Sequence, residues 1–181
     1  MLEAALAEVA DRGSSRVSFE SIAERAGVHK ATLYRRWRSP SALLLDALLA
    51  RSDTSVPVPD SGSLTEDLLE VLDSVRANLA DPVGLALAVT TAAARDDEFR
   101  QGAHAFWEDR LARAGVLVER AIQRGEIRSD VDPVDVLELA IAPLFFRVLV
   151  RQEDIDAALV ERVVDTLVRG LAGATAAPGA G

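Results

Sequence analysis

From Leu2 to Leu171 apolar residues recur at intervals of three and four, and no stretch alternates them with polar residues between hairpin turns. That period admits helices and excludes a half-buried sheet, so the fold class is all-α, with about nine helices. The punctuation fixes where they start and stop. A first helix is expected over Leu2–Arg12, ended by Gly13, with Leu2, Ala5, Leu6 and Val9 on one face. Ser18 caps a second helix carrying Phe19, Ile22, Ala23 and Ala26, and Gly27 closes it. A short third helix runs from Lys30 to Trp37, and Ser39 with Pro40 opens a fourth that reaches Arg51. Further helices are predicted at Leu64–Ala80, Val83–Ala93, Asp97–Gly125, Pro133–Arg151 and Ile155–Leu171.

The stretch Ser52–Ser63 is rich in Ser, Pro, Asp and Gly and has no period, so it reads as a joint. It divides a head over residues 1–52 from a helical body over 53–173; the small residues of 174–181 are expected to form a disordered tail. The 181 residues, 49% of them hydrophobic, suffice for a packed core without staples. The absence of cysteine removes disulfides, thiolate metal sites and thiol nucleophiles. No apolar run approaches the ~20 residues that cross a bilayer, and Met1–Leu6 lack the basic start of a signal peptide. A cytoplasmic protein without membrane association, metal or cofactor is the expectation.

The net charge of -9 argues at first against a nucleic-acid partner. Its distribution changes that reading. Residues 1–52 hold eight Lys and Arg against six Asp and Glu, whereas the remainder holds 12 against 23. A mildly basic head thus precedes an acidic body.

Within the head, Ile22–Trp37 (IAERAGVHKATLYRRW) has the parts of a helix-turn-helix: small Ala23 and Ala26 for close crossing, Gly27 for the turn, Val28 and Leu33 for the wedge. Leu33 and Trp37 share one face of the third helix, so Ala31 and Arg35 point away from it, toward a groove floor. Thr32 and Tyr34 fall on the flanks, where hydroxyls reach phosphates, and Lys30 lies at the helix start near base edges. Arginine suits guanine O6 and N7, and alanine a thymine methyl.

The stretch RGSSRVSFESIAERAGVHKATLYRRWRSPSALLLDAL resembles the DNA-binding head of the tetracycline-repressor (TetR) family, with AGV-x-K-x-TLYR-x-[FW] as its specific core. The resemblance covers residues 1–52. It implies phosphate contacts from Ser18 and Thr32, a backbone contact from Tyr34, and groove contacts from Lys30, Ala31 and Arg35. Three departures stand out: His29 replaces a small capping Ser, Pro40 replaces a phosphate-touching Lys, and the chain begins almost at the first helix. Arg36 and Arg38 are expected to compensate.

In the body, apolar residues surround the eighth helix nearly all round, Phe146 among them, and the ninth carries two rows, one with Val163, Leu167 and Leu171, the other with Val160, Val164 and Val168. One small subunit cannot cover both helices, so the same pair from a second copy is the expected partner, giving a four-helix homodimer interface. An effector pocket is expected among Leu72, Val75, Leu79, Leu85, Val89, Phe106, Trp107, Leu111, Leu137, Ile141 and Phe145, with Thr90, Thr91, His104 and Arg147 as polar candidates. Such a lining suits a hydrophobic or aromatic small molecule.

The function expected is therefore a dimeric, ligand-responsive regulator, most simply a repressor of a palindromic double-stranded operator. With two histidines, no cysteine, no G-x-S-x-G and no P-loop, catalysis has no carrier. A helical adaptor whose head binds protein instead of DNA is the alternative that the net acidity admits.

Overall fold

The computed structural model describes residues 1–13, 16–52 and 58–172. The expected tail, and residues 53–57 of the joint, lie outside the described residues. Among those described, nine α-helices and one π-helical turn form the chain: α1 Leu2–Arg12, α2 Phe19–Ala26, α3 Lys30–Arg36, α4 Pro40–Ser52, α5 Leu64–Ala80, α6 Pro82–Ala93, α7 Asp97–Arg124, α8 Pro133–Phe145 and α9 Ala157–Leu171, with the π turn Phe146–Val150 following α8.

Side-chain caps set these boundaries. Asp81, Asp132 and Asp156 accept backbone N–H groups from Gly84 (2.9 Å), Val134 (2.7 Å) and Leu159 (2.7 Å), and Pro82 and Pro133 occupy the first turn where no donor is needed. Asp156 is also why α9 starts at Ala157 and not at Ile155. Asp96 caps α7 in the same way, accepting from the Phe99 N–H at 2.9 Å.

The eighth helix does not continue unbroken to Arg151 as expected. Pro143 lies inside α8 and has no N–H to offer the Leu139 carbonyl. The ladder then widens into the π turn, where the Arg151 N–H donates to the Phe146 carbonyl at 3.1 Å, five residues back.

Two compact units result. The first joins Met1–Ser55 with Ala77–Glu108. Its core takes Ala5 and Val9 from α1, Phe19, Ile22 and Ala23 from α2, Leu33 and Trp37 at α3, Leu43 and Leu44 from α4, and Phe99 and Ala103 from α7. A second cluster places Leu6, Ala47 and Leu48 against Leu87 of α6, with Phe106 packed on it. The head expected over 1–52 is therefore packed together with α6 and the start of α7. Two close approaches fit this unit: a Cβ on Gly84 would overlap the Asn78 carbonyl, and one on Gly102 would overlap the Leu45 side chain. Glu8 is buried, and its carboxylate receives Arg25 Nε at 2.8 Å with Arg12 at 3.2 Å, tying α1 to α2.

The second unit joins Val56–Arg76 with Asp109–Gly181. Here α8 packs on α9, with Val136, Leu137, Ala140 and Leu144 buried on the first and Val160, Val164 and Leu171 on the second. The turn between them is closed by Glu153, whose carboxylate meets Arg147 (2.8 Å) and Arg151 (2.7 Å) while Gln152 takes a left-handed φ of 54°. Among the described residues no helix is long and apolar enough to cross a membrane.

Candidate nucleic-acid interface and effector cleft

The turn between α2 and α3 is built from short-range chemistry. Ser18 Oγ accepts the Ser21 N–H (3.2 Å) while Ser21 Oγ receives the Ser18 N–H (3.1 Å), so each satisfies one orphan donor at the start of α2. At the other end Gly27 adopts φ 65°, ψ 32°, a conformation only glycine takes readily, and the Val28 N–H donates back to the Ala23 carbonyl at 3.1 Å. The chain then enters α3 at His29, which provides no side-chain cap.

Two buried side chains orient α3. Leu33 is fully buried, and Trp37, just past the helix end, is buried beside it. The indole Nε1–H of Trp37 donates to Asp46 Oδ2 of α4 at 2.8 Å, fixing the rotation of the rod. With Leu33 and Trp37 turned inward, Lys30, Ala31, Tyr34, Arg35, Arg36 and Arg38 are exposed and Thr32 is half-buried. The face expected to meet a groove is thus a solvent face with no other occupant within its own unit.

Some of these side chains are already engaged. The Lys30 ammonium is bonded to the Glu20 carboxylate and lies 5.7 Å from the centre of the Tyr34 ring. The Tyr34 ring takes the edge of Phe19 at 4.7 Å and 75°. Arg36 rests its guanidinium 4.7 Å from the Trp37 ring centre. Ser18 is half-buried and its hydroxyl is held within the capping pair, so the structure gives it a helix-starting role. Glu20 and Asp46 were not singled out by sequence, nor was the contact of Phe19 with Tyr34; the partners lie 9 to 15 residues apart along the chain, and no local pattern announces them.

A cleft of about 420 Å³ lies in the same unit, lined by Thr91 of α6 and by Asp97, Arg100, Gln101, Ala103, His104 and Trp107 of α7. Thr91 and His104 were expected at a pocket, and both are here; Thr90 instead donates its hydroxyl to the Ala86 carbonyl at 2.7 Å, and Arg147 pairs with Glu153. Of the apolar candidates, Trp107 borders the cleft. Leu72, Leu79 and Leu137 are wholly packed core, Phe106 belongs to the cluster around Leu48, and Val89 is exposed. Val75, Leu85, Leu111, Ile141 and Phe145 are half-buried and do not border it. Apolar periodicity marks a side chain for burial without saying whether protein or ligand buries it, and here Leu72, Leu79 and Leu137 are taken by protein.

On the α8–α9 hairpin, Leu139 (62%), Phe146 (55%) and Val150 (65%) stay open to solvent along one line, joined by Ala142. Half-buried Val163, Leu167 and Val168 remain partly available on α9. Three expected interface residues do not: Val160 and Val164 are 1% exposed and Leu171 is buried, in a helix that packs on α8.

Comparison with known proteins accounts for both halves of the chain. Residues 1–47 match the N-terminal region that defines bacterial regulatory proteins of the tetR family, and residues 58–167 match the tetracyclin repressor-like C-terminal domain. The chain belongs to the TetR family. The HTH-type transcriptional regulator AqdR of Rhodococcus erythropolis is 37% identical over 133 residues, 73% of this chain and 64% of that protein, so the match spans just under two thirds of its length. The DNA-binding transcriptional repressor TetR of Mycobacteroides abscessus is 31% identical over 172 residues, covering 93% of this chain and 90% of that one. The crystal structure of the TetR family regulator SCO0332 superposes with a TM-score of 0.71 at 30% identity, over 94% of this chain and 95% of that one.

Membership makes this chain a helix-turn-helix transcriptional regulator and not an enzyme. TetR-family regulators bind DNA and small-molecule effectors and act as dimers.

Proposed function

We propose that the protein is a homodimeric, ligand-released repressor that binds a palindromic operator through α3, in the cytoplasm. The reading divides the chain at residue 52 into a DNA-binding head and a helical body. The observation that carries it is the orientation of α3: Leu33 and Trp37 are buried, so Lys30, Ala31 and Arg35 face outward on a rod of groove-filling width. Arg35 then donates to guanine O6 and N7, Ala31 meets a thymine methyl, and Tyr34, Thr32, Arg36 and Arg38 take phosphates on either side. Two heads related by a two-fold axis read half-sites ~34–36 Å apart, one turn of duplex.

Release begins in the α7 cleft. Its lining combines an indole with Thr91, Gln101, Arg100 and His104, which suits an aromatic effector bearing polar groups better than a plain hydrocarbon. Ala103 lines that cleft and also belongs to the core shared by α1–α4. A ligand pressing there acts on the layer that holds the head, and by linkage ligand and operator weaken each other by ~1–3 kcal/mol.

Selection of bound sequences from a random DNA pool tests the reading. Recovery of a palindrome with half-sites one turn apart is expected; recovery of no consensus would leave the protein-binding adaptor as the function. Trp107→Ala is expected to blunt release by the effector while operator affinity holds.

A further inference from the structure

We propose that Glu20 and Lys30 act together as the reader of one G·C pair in each half-site, Lys30 donating to guanine O6 and N7 while Glu20 accepts from the cytosine N4 amino group. The inference rests on α3 entering a major groove.

Lys30 is the first residue of α3, the end of a recognition helix that reaches base edges, and it is the sole lysine in a chain whose other cationic side chains are all arginine. Its ammonium has three donors and gives one to Glu20 Oε1; a carboxylate carries about four lone-pair sites, so Glu20 can accept from DNA beside the bonds it already takes from Lys30, its own backbone and Ser18. Both side chains are about half open to solvent, at 47% and 60%. The ammonium is steered from a second side by the Tyr34 ring, itself set by the edge of Phe19. The result is an outward-facing pair with donors on one member and an acceptor on the other.

The major-groove edge of G·C presents two adjacent acceptors on guanine followed by a donor on cytosine. The remaining donors of Lys30 and the exposed carboxylate of Glu20 match that order. An A·T pair puts the adenine N6 donor beside N7, where the ammonium would meet it, and sets thymine O4 against the carboxylate. Hydrogen bonding from Lys30 lowers the Glu20 carboxyl below its ordinary value, and the same bond raises Lys30, so both stay charged through neutral pH. An exposed ion pair of this kind is worth little by itself, so opening it toward DNA costs little.

The test uses the full chain and the operator recovered by selection, with every base pair of a half-site varied in turn. Glu20→Gln and Lys30→Gln are each expected to lose about ten- to a hundred-fold discrimination at the same single G·C pair and to leave preferences elsewhere intact. Operator DNA is further expected to protect the Lys30 amine from acetylation more than random duplex does at equal occupancy. The pair would be a counter-charge only, and the proposal wrong, if Glu20→Gln tightened operator and random duplex alike. Loss of discrimination at two different positions, or at none, would also overturn it. Failure of the unaltered chain to bind any duplex is a different result, because it removes the regulator reading itself.

Discussion

The recognition helix α3 and the hairpin helix α8 are both short, both anchored by buried leucine, and opposite in what they leave outside. At α3 the two large apolar side chains, Leu33 and Trp37, are consumed by the core, and what remains exposed, the small Ala31 apart, is cationic or able to hydrogen-bond. On α8 and the π turn after it the chain buries Val136, Leu137, Ala140 and Leu144 and still has Leu139, Phe146 and Val150 left over. A surface depleted of apolar area suits a hydrated, charged partner; a continuous apolar line suits a second protein surface. On the proposed reading, the number of apolar residues relative to the core available to take them separates the element that meets DNA from the one that meets a second copy.

The contrast is most easily broken at Phe146. Phe146→Asp puts a carboxylate in the middle of the exposed line, where pairing two copies would desolvate it. The protein is expected to sediment as a monomer, and operator affinity to fall by about 10²- to 10⁴-fold as the second head's contribution is lost. Val89→Asp, at another exposed apolar position, should change neither. A Phe146→Asp protein that remains dimeric would show that the stripe meets something else.

The reverse experiment acts on the anchor of α3. Leu33→Ala removes a fully buried side chain at a cost of about 2–5 kcal/mol. Calorimetry is expected to show a lowered transition for the head, with operator binding lost and the dimer mass retained. If the mass fell too, the two faces would not be separable by mutation.

What was legible follows the range of the physics. Helix ends were legible because caps act over three residues: Ser18 with Gly27, and Ser39 with Pro40, each announce a boundary locally, while Asp81 starts α6 at Pro82, one residue before the expected Val83. The outward turn of Arg35 was legible because Leu33 and Trp37 fix the phase of one short helix. The π turn was not, since a helix apolar on every side gives no phase against which an extra residue could be noticed, although Pro143 marked the place. Nor were the pairings of Glu8 with Arg25, Glu20 with Lys30 and Trp37 with Asp46, which depend on how helices cross. The lining of a pocket is illegible for a related reason: periodicity says that Leu72 and Leu137 are buried, and only the packing of the helices says by what.

A smaller effect sharpens the division of labour on α3. Arg35→Ala deletes an exposed side chain with no place in the head's core, so folding should be unaffected. Loss of a bidentate guanine contact is expected to cost about 1–3 kcal/mol against the preferred base and to flatten preference at that position. The measurement is the ratio of affinities for operator and its single-base variants.

Tyr34→Phe is the smallest of these changes and the most diagnostic. It keeps the ring, and with it the edge contact to Phe19 and the seat for the Lys30 ammonium, and removes only the hydroxyl. If that hydroxyl donates to a phosphate, its loss removes one neutral-donor hydrogen bond, about 0.5–1.5 kcal/mol, or roughly two- to tenfold in affinity. The loss should be equal for operator and random duplex, because phosphate carries no sequence, and the slope of affinity against salt should not change, because no cation is removed. A loss confined to one base pair would move Tyr34 from the wall of the groove to its floor, and the assignment of Lys30 beside it would have to move as well.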